Sequence, residues 1–384
     1  MKVVRLGEVC AQDRQSVKPG ERPELRYIGL ESIESGGGDF VAGGLSKTPE
    51  TPMANSFRFT PEHVLYGKLR PYLNKVALPA FEGKCSTEII PLRPSSDIDR
   101  AYLAYFLRHQ PVVDLISARV AGARMPRADM DFVLSLPIPL PELAEQRRVV
   151  DLLSRAEGIV RLRREAQVKT QAIIPALFVD MFGDPATNPK GWPVEALGNV
   201  LRAADYGSST KASDVGAGLP LIRMGNVSYD GAIDLTDLKY VELELDEAER
   251  FRLRKGDILF NRTNSKELVG KTGLWDADLD AVVASYFIRL RVDESHVCPF
   301  YVWAFMNSRH MKRVLFDTAR GAIGQANINS KELKAFRVPL PTLHTQAEFE
   351  ERCRELMGLG VVQARALQTA EHTFASILAR SFGS

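Results

Sequence analysis

A short run of basic, amide and hydroxyl residues stands out at 261–266, where the chain reads Asn-Arg-Thr-Asn-Ser-Lys. A second run, with one arginine and three amide side chains, follows at 320–329. Binding to a nucleic-acid duplex needs positive side chains for the phosphates and hydrogen-bonding groups for the base edges in the major groove. The residues that combine these properties are Asn261, Arg262, Thr263, Asn264, Ser265, Lys266, Arg320, Gln325, Asn327 and Asn329.

A comparable set lies in the first half of the chain. Its members are Lys68, Arg70, Tyr72, Asn74, Arg119, Arg124 and Arg127. Both regions are locally basic, although the whole chain carries a net charge of only +2. Segment 58–75 has four basic residues against one acidic residue, and segment 251–273 has six against two. Local positive charge of this kind favours binding to a polyanion.

Some of these residues have a simpler, structural alternative. Asparagine commonly completes turns, so Asn261, Asn264 and Asn329 could serve the fold alone. The glycine-rich stretches 35–44 and 207–218 offer backbone amides for further contacts, and mobile surface loops explain them equally well. The sequence leaves these alternatives open.

Other kinds of site find little support. The four cysteines are scattered singly and the six histidines lack metal-ligand spacing, so neither a metal site nor a disulfide is expected. The Gly-Lys-Thr at 270–272 is not a phosphate-binding loop, because that motif requires glycine where Ser265 stands; we predict a strand there. No GxGxxG or Asn/Asp-Pro-Pro-Tyr motif occurs, whereas a nuclease cluster of non-contiguous carboxylates stays open.

Short apolar runs broken by glycine, proline and serine surround the basic segments, and this pattern predicts strands and loops. One helix is expected at 100–118, broken by Pro111. The second half repeats this plan. The strands predicted in the first half are 25–30, 63–66, 75–78 and 87–92.

The segment Pro141–Gly183 recurs as Pro341–Gly383, at a constant offset of 200 residues. Apolar residues recur every three or four positions in both copies, which predicts amphipathic helices about 60 Å long. Because the nearest partner of matching shape is the twin helix, we predict an antiparallel coiled coil that sets the distance between two domains. Pro175 is expected to kink or restart the first helix. Two amphipathic helices that serve only as core are the alternative.

The chain is therefore predicted to be an α+β protein formed by tandem duplication. Two mostly-β domains are joined by two long antiparallel helices with pseudo-twofold symmetry. The predicted boundaries are 1–140 for the first domain, 141–183 for the first helix, 184–191 for a linker, 192–340 for the second domain and 341–384 for the second helix. The apolar runs are too short for a membrane span and the first residues lack an apolar signal segment, so a cytoplasmic protein is expected.

Several motifs occur in the same order in both halves. Pro-Leu-Pro precedes each long helix, followed by Gln146-Arg147-Arg148 in the first and by Gln346 in the second. The second domain adds Gly256-Asp-Ile-Leu-Phe260 with Arg262, and then Gly324-Gln-Ala-Asn-Ile328. In these motifs, and over essentially its whole length, the chain resembles the specificity subunit of Type I restriction–modification enzymes.

The resemblance implies two target-recognition domains alternating with two helical conserved regions. It implies a non-catalytic subunit that binds double-stranded DNA at a bipartite, asymmetric sequence in a system of DNA methylation and phage defence. Two methyltransferase subunits and, in a full complex, restriction subunits would be its partners. S-adenosylmethionine, ATP and Mg²⁺ would belong to those partners, so no cofactor is expected on this chain.

Two other functions are weighed against this one: a stand-alone DNA-modifying or DNA-cleaving enzyme, and a scaffold that never binds DNA. Specific DNA binding weakens steeply as salt rises, whereas a scaffold would show no such dependence. Arginines on the first helix either receive partner subunits or are solvated charge. They are Arg147, Arg148, Arg161 and Arg164.

Overall fold

The computed structural model describes residues 2–36, 38–41, 44, 54–121, 125–214, 216, 218–322 and 325–383. They form two compact units. Unit 1 comprises Met1–Arg164 and Arg365–Ser384, and unit 2 comprises Glu165–Ala364. Each unit therefore contains one β-rich domain together with a part of each long helix.

Unit 1 is built from short strands followed by helices. Its strands are β1 (Val3–Arg5), β2 (Cys10–Gln12), β3 (Ser16–Val17), β4 (Arg26–Ile28), β5 (Ser56–Phe59), β6 (Val64–Gly67), β7 (Val76–Ala77), β8 (Gly83–Ser86), β9 (Ile89–Pro94), β10 (Val120–Ala121), β11 (Arg127–Ala128) and β12 (Pro137–Pro139). Its helices are α1 (Leu6–Val9), α2 (Arg100–Arg108), α3 (Gln110–Ser117), α4 (Met130–Ser135) and the first part of α5 (Leu143–Phe182). The four strands predicted in this half are present, with ends within two residues of those expected. The predicted helix break is also present, at His109, because Pro111 lies in the first turn of α3.

Two four-stranded sheets form the domain of unit 1. One has the order β2-β9-β6-β7 and is antiparallel, with Val64 opposite Leu92. The other has the order β3-β5-β8-β4, in which the β4–β8 pair is parallel. Tyr102 and Phe106 of α2 are buried in one core cluster with Leu92.

Unit 2 repeats this architecture. Its strands are β13 (Val194–Ala196), β14 (Leu201–Tyr206), β15 (Leu219–Ile222), β16 (Lys239–Val241), β17 (Ile258–Asn261), β18 (Thr263–Asn264), β19 (Thr272–Leu274), β20 (Val282–Val283), β21 (Phe287–Val292), β22 (Arg320–Ala322), β23 (Gln325–Asn327) and β24 (Arg337–Pro339). Its helices are α6 (Leu245–Phe251), α7 (Pro299–Asn307), α8 (Arg309–Thr318), α9 (Ser330–Lys334), the rest of α5 and the first part of α10 (Leu343–Phe382). The antiparallel sheet β14-β21-β17-β19 corresponds to β2-β9-β6-β7 of unit 1, with Ile258 opposite Leu290.

The long helices contribute to the core of each unit. In unit 1, Phe382 at the end of α10 packs against Tyr102, with ring centroids 4.9 Å apart, in the cluster that also buries Leu153 of α5. In unit 2, Phe182 at the end of α5 lies 5.2 Å from Phe349 near the start of α10. Each unit thus buries the end of one helix with the early part of the other. The two helices therefore run antiparallel within each unit, as predicted.

A buried glutamine fixes the beginning of each long helix: Gln146 in α5 and Gln346 in α10. Each side chain accepts a hydrogen bond from the backbone N–H of the residue that precedes α2 or α7, and donates to the backbone in return. The bonds are Asp99 N–H to Gln146 Oε1 at 2.7 Å, Gln146 Nε2 to the carbonyls of Asp97 and Pro141 at 2.9 Å each, Cys298 N–H to Gln346 Oε1 at 2.8 Å, and Gln346 Nε2 to the carbonyl of Pro341 at 2.8 Å. This shared role explains why glutamine recurs in both copies of the motif.

Helix α5 continues through Pro175, so the expected restart of the helix there is wrong. Proline removes the N–H that would bond the carbonyl of Gln171. Both residues are exposed, which leaves that carbonyl accessible to water, and Phe178 anchors the next turn in the core of unit 2. Among the described residues, the helices lack the apolar stretch needed to cross a membrane.

Candidate nucleic-acid interface

Backbone pairing brings the two polar stretches of unit 2 together. Strand β18 pairs antiparallel with β23, so that Thr263 lies opposite Asn327 and Asn264 lies opposite Ala326. Strand β22 pairs with the other edge of β23. Residues that are widely separated in the sequence therefore share one small three-stranded sheet.

Arg262 is oriented at this sheet by its backbone and by an aromatic ring. Its N–H donates to the carbonyl of Tyr286 at 2.9 Å, and its carbonyl accepts from the N–H of Ile328 at 3.0 Å. The guanidinium lies 4.8 Å from the ring centroid of Tyr206 and forms no ion pair within the described part of the chain. Because a ring orients a cation without neutralising it, the charge of Arg262 stays available to a ligand.

Lys266 is held in the same way. Its Nζ lies 4.4 Å from the ring centroid of Phe316. The side chain is exposed and, like that of Arg262, forms no ion pair among the residues described. The supporting rings are also accessible, since Phe316 is 43% exposed and Tyr206 is 44% exposed. Unit 2 thus presents two cations that lie over aromatic rings and form no ion pair within the described part of the chain.

Some asparagines of this region serve the fold. Asn261 is fully buried, and its Nδ2 donates to the carbonyls of Thr263 and Tyr286 at 3.3 Å each. Its Oδ1 accepts from Asn264 Nδ2 at 2.9 Å. These contacts support the structural alternative for Asn261, because its side chain holds the loop and is fully buried. Asn329 caps α9, where its Oδ1 accepts from two backbone N–H groups at 2.9 Å each, as the structural alternative required.

The other predicted residues of unit 2 are partly exposed or only partly described. Thr263, Asn264, Ser265 and Asn327 are half-buried, and Asn327 Oδ1 has no hydrogen-bond partner in the described part of the chain. Arg320 and Gln325 lie in β22 and β23, but their side chains fall outside the described residues. Their direct contacts with DNA stay predictions.

Unit 1 brings its two predicted stretches together in an equivalent way. Leu69 forms a β-bridge with Arg127 at the β10–β11 hairpin. Beside this bridge, Arg70 N–H donates to the carbonyl of Pro126 at 2.7 Å, and Ala128 N–H donates to the carbonyl of Lys68 at 2.8 Å. The half-buried Lys68 therefore lies where β6 leads into the polar loop.

A 3-10 turn at Pro71–Leu73 carries the most exposed residues of this loop. Arg70 is exposed and Tyr72 is 56% exposed. Arg70 and Asn74 flank the turn with φ values of 53° and 49°, in the left-handed region that residues other than glycine seldom adopt. Such conformations persist where surrounding contacts hold them, often in binding loops.

The arginines of the later loop differ in their availability. Arg127 forms a bidentate ion pair with Glu88, in which Nη2 lies 2.7 Å from Oε1 and Nε lies 3.0 Å from Oε2. The bond from Arg127 is the main cause that lowers the pKa of Glu88. Arg119 is exposed and lies 4.5 Å from the ring centroid of Phe132. Arg124 lies outside the described residues, so its predicted contact stays a prediction.

Two lysines of the basic segments turn inward. Lys75 Nζ donates to the carbonyls of Leu30 and Ile33 at 2.7 and 2.8 Å, and Lys271 Nζ donates to the carbonyl of Met224 at 2.6 Å. Burial lowers the pKa of both lysines. They occupy matching positions, and each ties a strand to a 3-10 turn. The Gly-Lys-Thr motif is thus structural, although the predicted strand begins only at its threonine.

Sequence reasoning missed the aromatic residues that lie under three of the candidate cations: Tyr206, Phe316 and Phe132. Each is distant in sequence from the cation it holds, so periodicity does not connect them. Tyr206 and Phe316 are also exposed aromatic side chains, a signal that is visible only in the fold. The described residues also contain no group of three or more His, Cys, Asp or Glu side chains placed to hold a metal ion. The arrangement is suited to binding phosphates and base edges.

Comparison with known proteins gives the family. The family model described as "Type I restriction modification DNA specificity domain" matches residues 1–170 and 189–351. A putative type I restriction enzyme MjaX specificity subunit of Methanocaldococcus jannaschii is 30% identical over 162 residues, which are 42% of this chain and 38% of that protein. The type I restriction enzyme EcoKI specificity subunit of Escherichia coli is 26% identical over 310 residues, which are 76% of this chain and 66% of that protein. The chain thus spans less than two thirds of the length of these relatives.

One solved structure has a similar fold. It comes from work on complex assembly and conformational transition of the type I R-M system, and the match covers 99% of this chain and 97% of the other with a TM-score of 0.59. The two sequences are 23% identical, so this likeness concerns the fold alone. The family model covers most of the chain in two copies, one in each half. The chain therefore belongs to the family of Type I restriction modification DNA specificity domains.

Proposed function

We propose that this chain is the specificity subunit of a Type I restriction–modification complex, and that it recognises DNA and catalyses no reaction itself. In this proposal each unit binds one part of a bipartite, asymmetric sequence in double-stranded DNA. The observation that carries the proposal is a shared backbone arrangement with unlike side chains. In both units the segment after β6 or β17 lies beside a second polar segment, yet Lys68 and Leu69 of unit 1 stand where unit 2 has Arg262 and Thr263.

Unlike side chains on a repeated scaffold favour two DNA-binding units that prefer different base sequences. In the major groove each base pair presents its own pattern of donors and acceptors, so a change of side chain changes the preferred base. A scaffold protein would need no such cations at matching positions in both units. An asymmetric target in two parts is the simplest sequence that two unlike readers select.

Four of the candidate cations without an ion pair would make the main contacts. These are Arg262 and Lys266 in unit 2, and Arg70 and Arg119 in unit 1, within the described part of the chain. Each could bind a phosphate, and each arginine could also bind the O6 and N7 atoms of a guanine in bidentate fashion. Arg127 differs, since Glu88 already compensates its charge, and would help to shape the loop.

Partner subunits would dock on the long helices. Two methyltransferase subunits, with restriction subunits in a full complex, would supply S-adenosylmethionine, ATP and Mg²⁺ chemistry. In unit 1, α5 exposes Leu152, Ile159 and Leu162 at 51%, 51% and 62% together with Arg147 and Arg161. An exposed apolar row bordered by charge is typical of a protein–protein interface. Arg148 and Arg164 are already paired, with Glu145 and Glu371.

The test is to express the full chain with a methyltransferase subunit in cells that lack other modification systems, and to map methylated bases by long-read sequencing. We expect one motif in two parts with unread base pairs between them, present only when this chain is present. Purified complex should also bind that motif with an affinity that falls steeply with salt. Methylation that does not depend on the chain would contradict the proposal. Methylation by the chain without the methyltransferase subunit would favour an enzyme, and binding without salt dependence would favour a scaffold.

A further inference from the structure

A carboxylate on the long helix α5 lies at the centre of a hydrogen-bond group in unit 1. Glu157 Oε2 accepts from the hydroxyl of Tyr105 at 2.9 Å and from Nη1 of Arg108 at 3.4 Å, while Oε1 accepts from Nη2 of Arg108. The side chain of Arg108 is only 8% exposed. Burial is the main cause that raises the pKa of Tyr105, so its hydroxyl remains a donor. Glu157 therefore fixes the C-terminal end of α2 to the long helix.

The backbone of the same arginine binds the polar loop. Arg108 is the last residue of α2, and its carbonyl accepts a hydrogen bond from Asn74 Nδ2 at 3.1 Å. Carbonyls at a helix C-terminus lack a partner within the helix, so Asn74 supplies one. Asn74 ends the turn that presents Arg70 and Tyr72, and it holds a positive φ. A continuous chain of contacts thus runs from Glu157 through Arg108 to the exposed loop.

Close packing leaves this group little room to rearrange. A Cβ atom added at Gly38 would lie 2.7 Å from Glu157 Oε1 and 3.0 Å from Arg108 Nη2. Gly38 in turn donates its N–H to the carbonyl of Val76 in β7, at 2.9 Å. Gly38 therefore lies against the ion pair, and its N–H joins it to β7 of the β2-β9-β6-β7 sheet.

Unit 2 lacks the residues that would form the same chain of contacts. At the position of Asn74 it has Gly270, whose φ of 81° needs no side-chain support. Asn307 replaces Arg108, and its Nδ2 donates to the carbonyl of Thr272 at 2.8 Å. Met357 replaces Glu157 and is 39% exposed. A thioether cannot hold an ion pair, so any role of Glu157 concerns unit 1 alone.

We infer that Glu157 is a positioning residue for the DNA-reading loop of unit 1. Acting through Arg108 and Asn74, it fixes the geometry of Arg70 and Tyr72 and so sets how strictly unit 1 discriminates among bases. This inference rests on the proposed function. It adds that base discrimination by one unit depends on a residue of the long helix that never touches DNA.

The experiment compares wild type, Glu157→Ala and the matched control Met357→Ala, each as the full chain in complex with a methyltransferase subunit. Methylation rates are measured on the mapped motif and on single-base variants of each half. The half read by unit 2 is identified as the one whose preference changes in Arg262→Ala. We expect Glu157→Ala to reduce discrimination in the unit 1 half by roughly 2- to 30-fold, the range of effects of residues that act at a distance. Discrimination in the other half should stay as in wild type, and Met357→Ala should change neither.

A purely structural role would behave differently. Equal loss in both halves, or unchanged discrimination in the unit 1 half, would overturn the inference while leaving the proposed function intact. Wild-type protein that shows no sequence preference would overturn the proposed function itself, and the inference with it. If Glu157→Ala does not fold, Glu157→Gln keeps an acceptor for Tyr105 and weakens only the ion pair. The inference then requires a smaller loss confined to the same half.

Discussion

Replacing Arg262 with alanine removes a guanidinium that lies on the ring of Tyr206 and has no ion pair within the described part of the chain. The fold loses one cation–π contact, worth about 0.5–1 kcal/mol at an exposed site. Among the described residues, no carboxylate loses an ion-pair partner. We therefore expect a small decrease in the free energy of unfolding and a large decrease in DNA binding.

The magnitude of the binding effect depends on what Arg262 contacts. A bidentate contact with guanine contributes about 1–3 kcal/mol of discrimination, which is roughly 5- to 150-fold in affinity for the correct base. A phosphate contact lowers affinity for every sequence alike and reduces the slope of log affinity against log salt by about 0.9. The two outcomes distinguish recognition of a base from binding to the phosphates of the DNA.

The assay is competition binding of the methyltransferase complex to the mapped motif and to single-base variants, at several salt concentrations. Tyr206→Leu keeps the cation but removes its support, so it should weaken binding less than Arg262→Ala does. Arg250→Ala is the matched control, because Arg250 also lies over a ring, 5.3 Å from the centroid of Phe251, outside the candidate interface. If Arg262→Ala and Arg250→Ala give the same affinity and salt slope, the reasoning is refuted.

Three further predictions concern stability. Gln346→Leu leaves the N–H of Cys298 and the carbonyl of Pro341 unpaired, which costs about 1–3 kcal/mol per buried group. Urea denaturation should show this decrease in the free energy of unfolding. The control Gln171→Leu, at an exposed position, should show no comparable decrease. Arg127→Ala removes the partner that lowers the pKa of Glu88. The stabilising effect of that pair is present above the unfolded-state pKa of about 4.3, and it is lost as pH falls through the lower pKa of the folded state. The difference in free energy of unfolding between wild type and Arg127→Ala should therefore shrink in acid. A difference that does not depend on pH would contradict this. Burial lowers the pKa of Lys312 to about 8. Between pH 8 and the ordinary lysine pKa, the unfolded state then binds more protons than the folded state. The free energy of unfolding of wild type should therefore increase relative to that of Lys312→Met as pH rises above 8. A decrease would show that the lysine is not desolvated.

Much of the architecture could be predicted from the sequence because it depends on periodicity and repetition. The constant offset between Pro141 and Pro341 showed the duplication, and the apolar spacing predicted both long helices. The break near Pro111 followed from the chemistry of proline alone. The same rule does not end the helix at Pro175, where Phe178 of the next turn is buried in the core of unit 2.

The candidate site was only partly predictable, since its decisive contacts join distant residues. The polar stretches themselves were visible, and the fold brings them together in each unit. The burial of Asn261 depends on its bond to the carbonyl of Tyr286, and the neutralisation of Arg127 depends on Glu88. Neither partner follows from local pattern. The local charge of segment 58–75 included Lys75, although the side chain of Lys75 donates to backbone carbonyls of a neighbouring turn.

The central claim is that two unlike readers on a repeated scaffold each recognise one half of a target. The most direct test is to map DNA methylation in cells that contain the methyltransferase subunit with wild type, Arg262→Ala or Arg70→Ala. The account predicts that Arg262→Ala alters preference in one half of the motif and Arg70→Ala in the other, with unread base pairs between the altered positions. Changes at the same bases in both variants, or at no base in either, would contradict it.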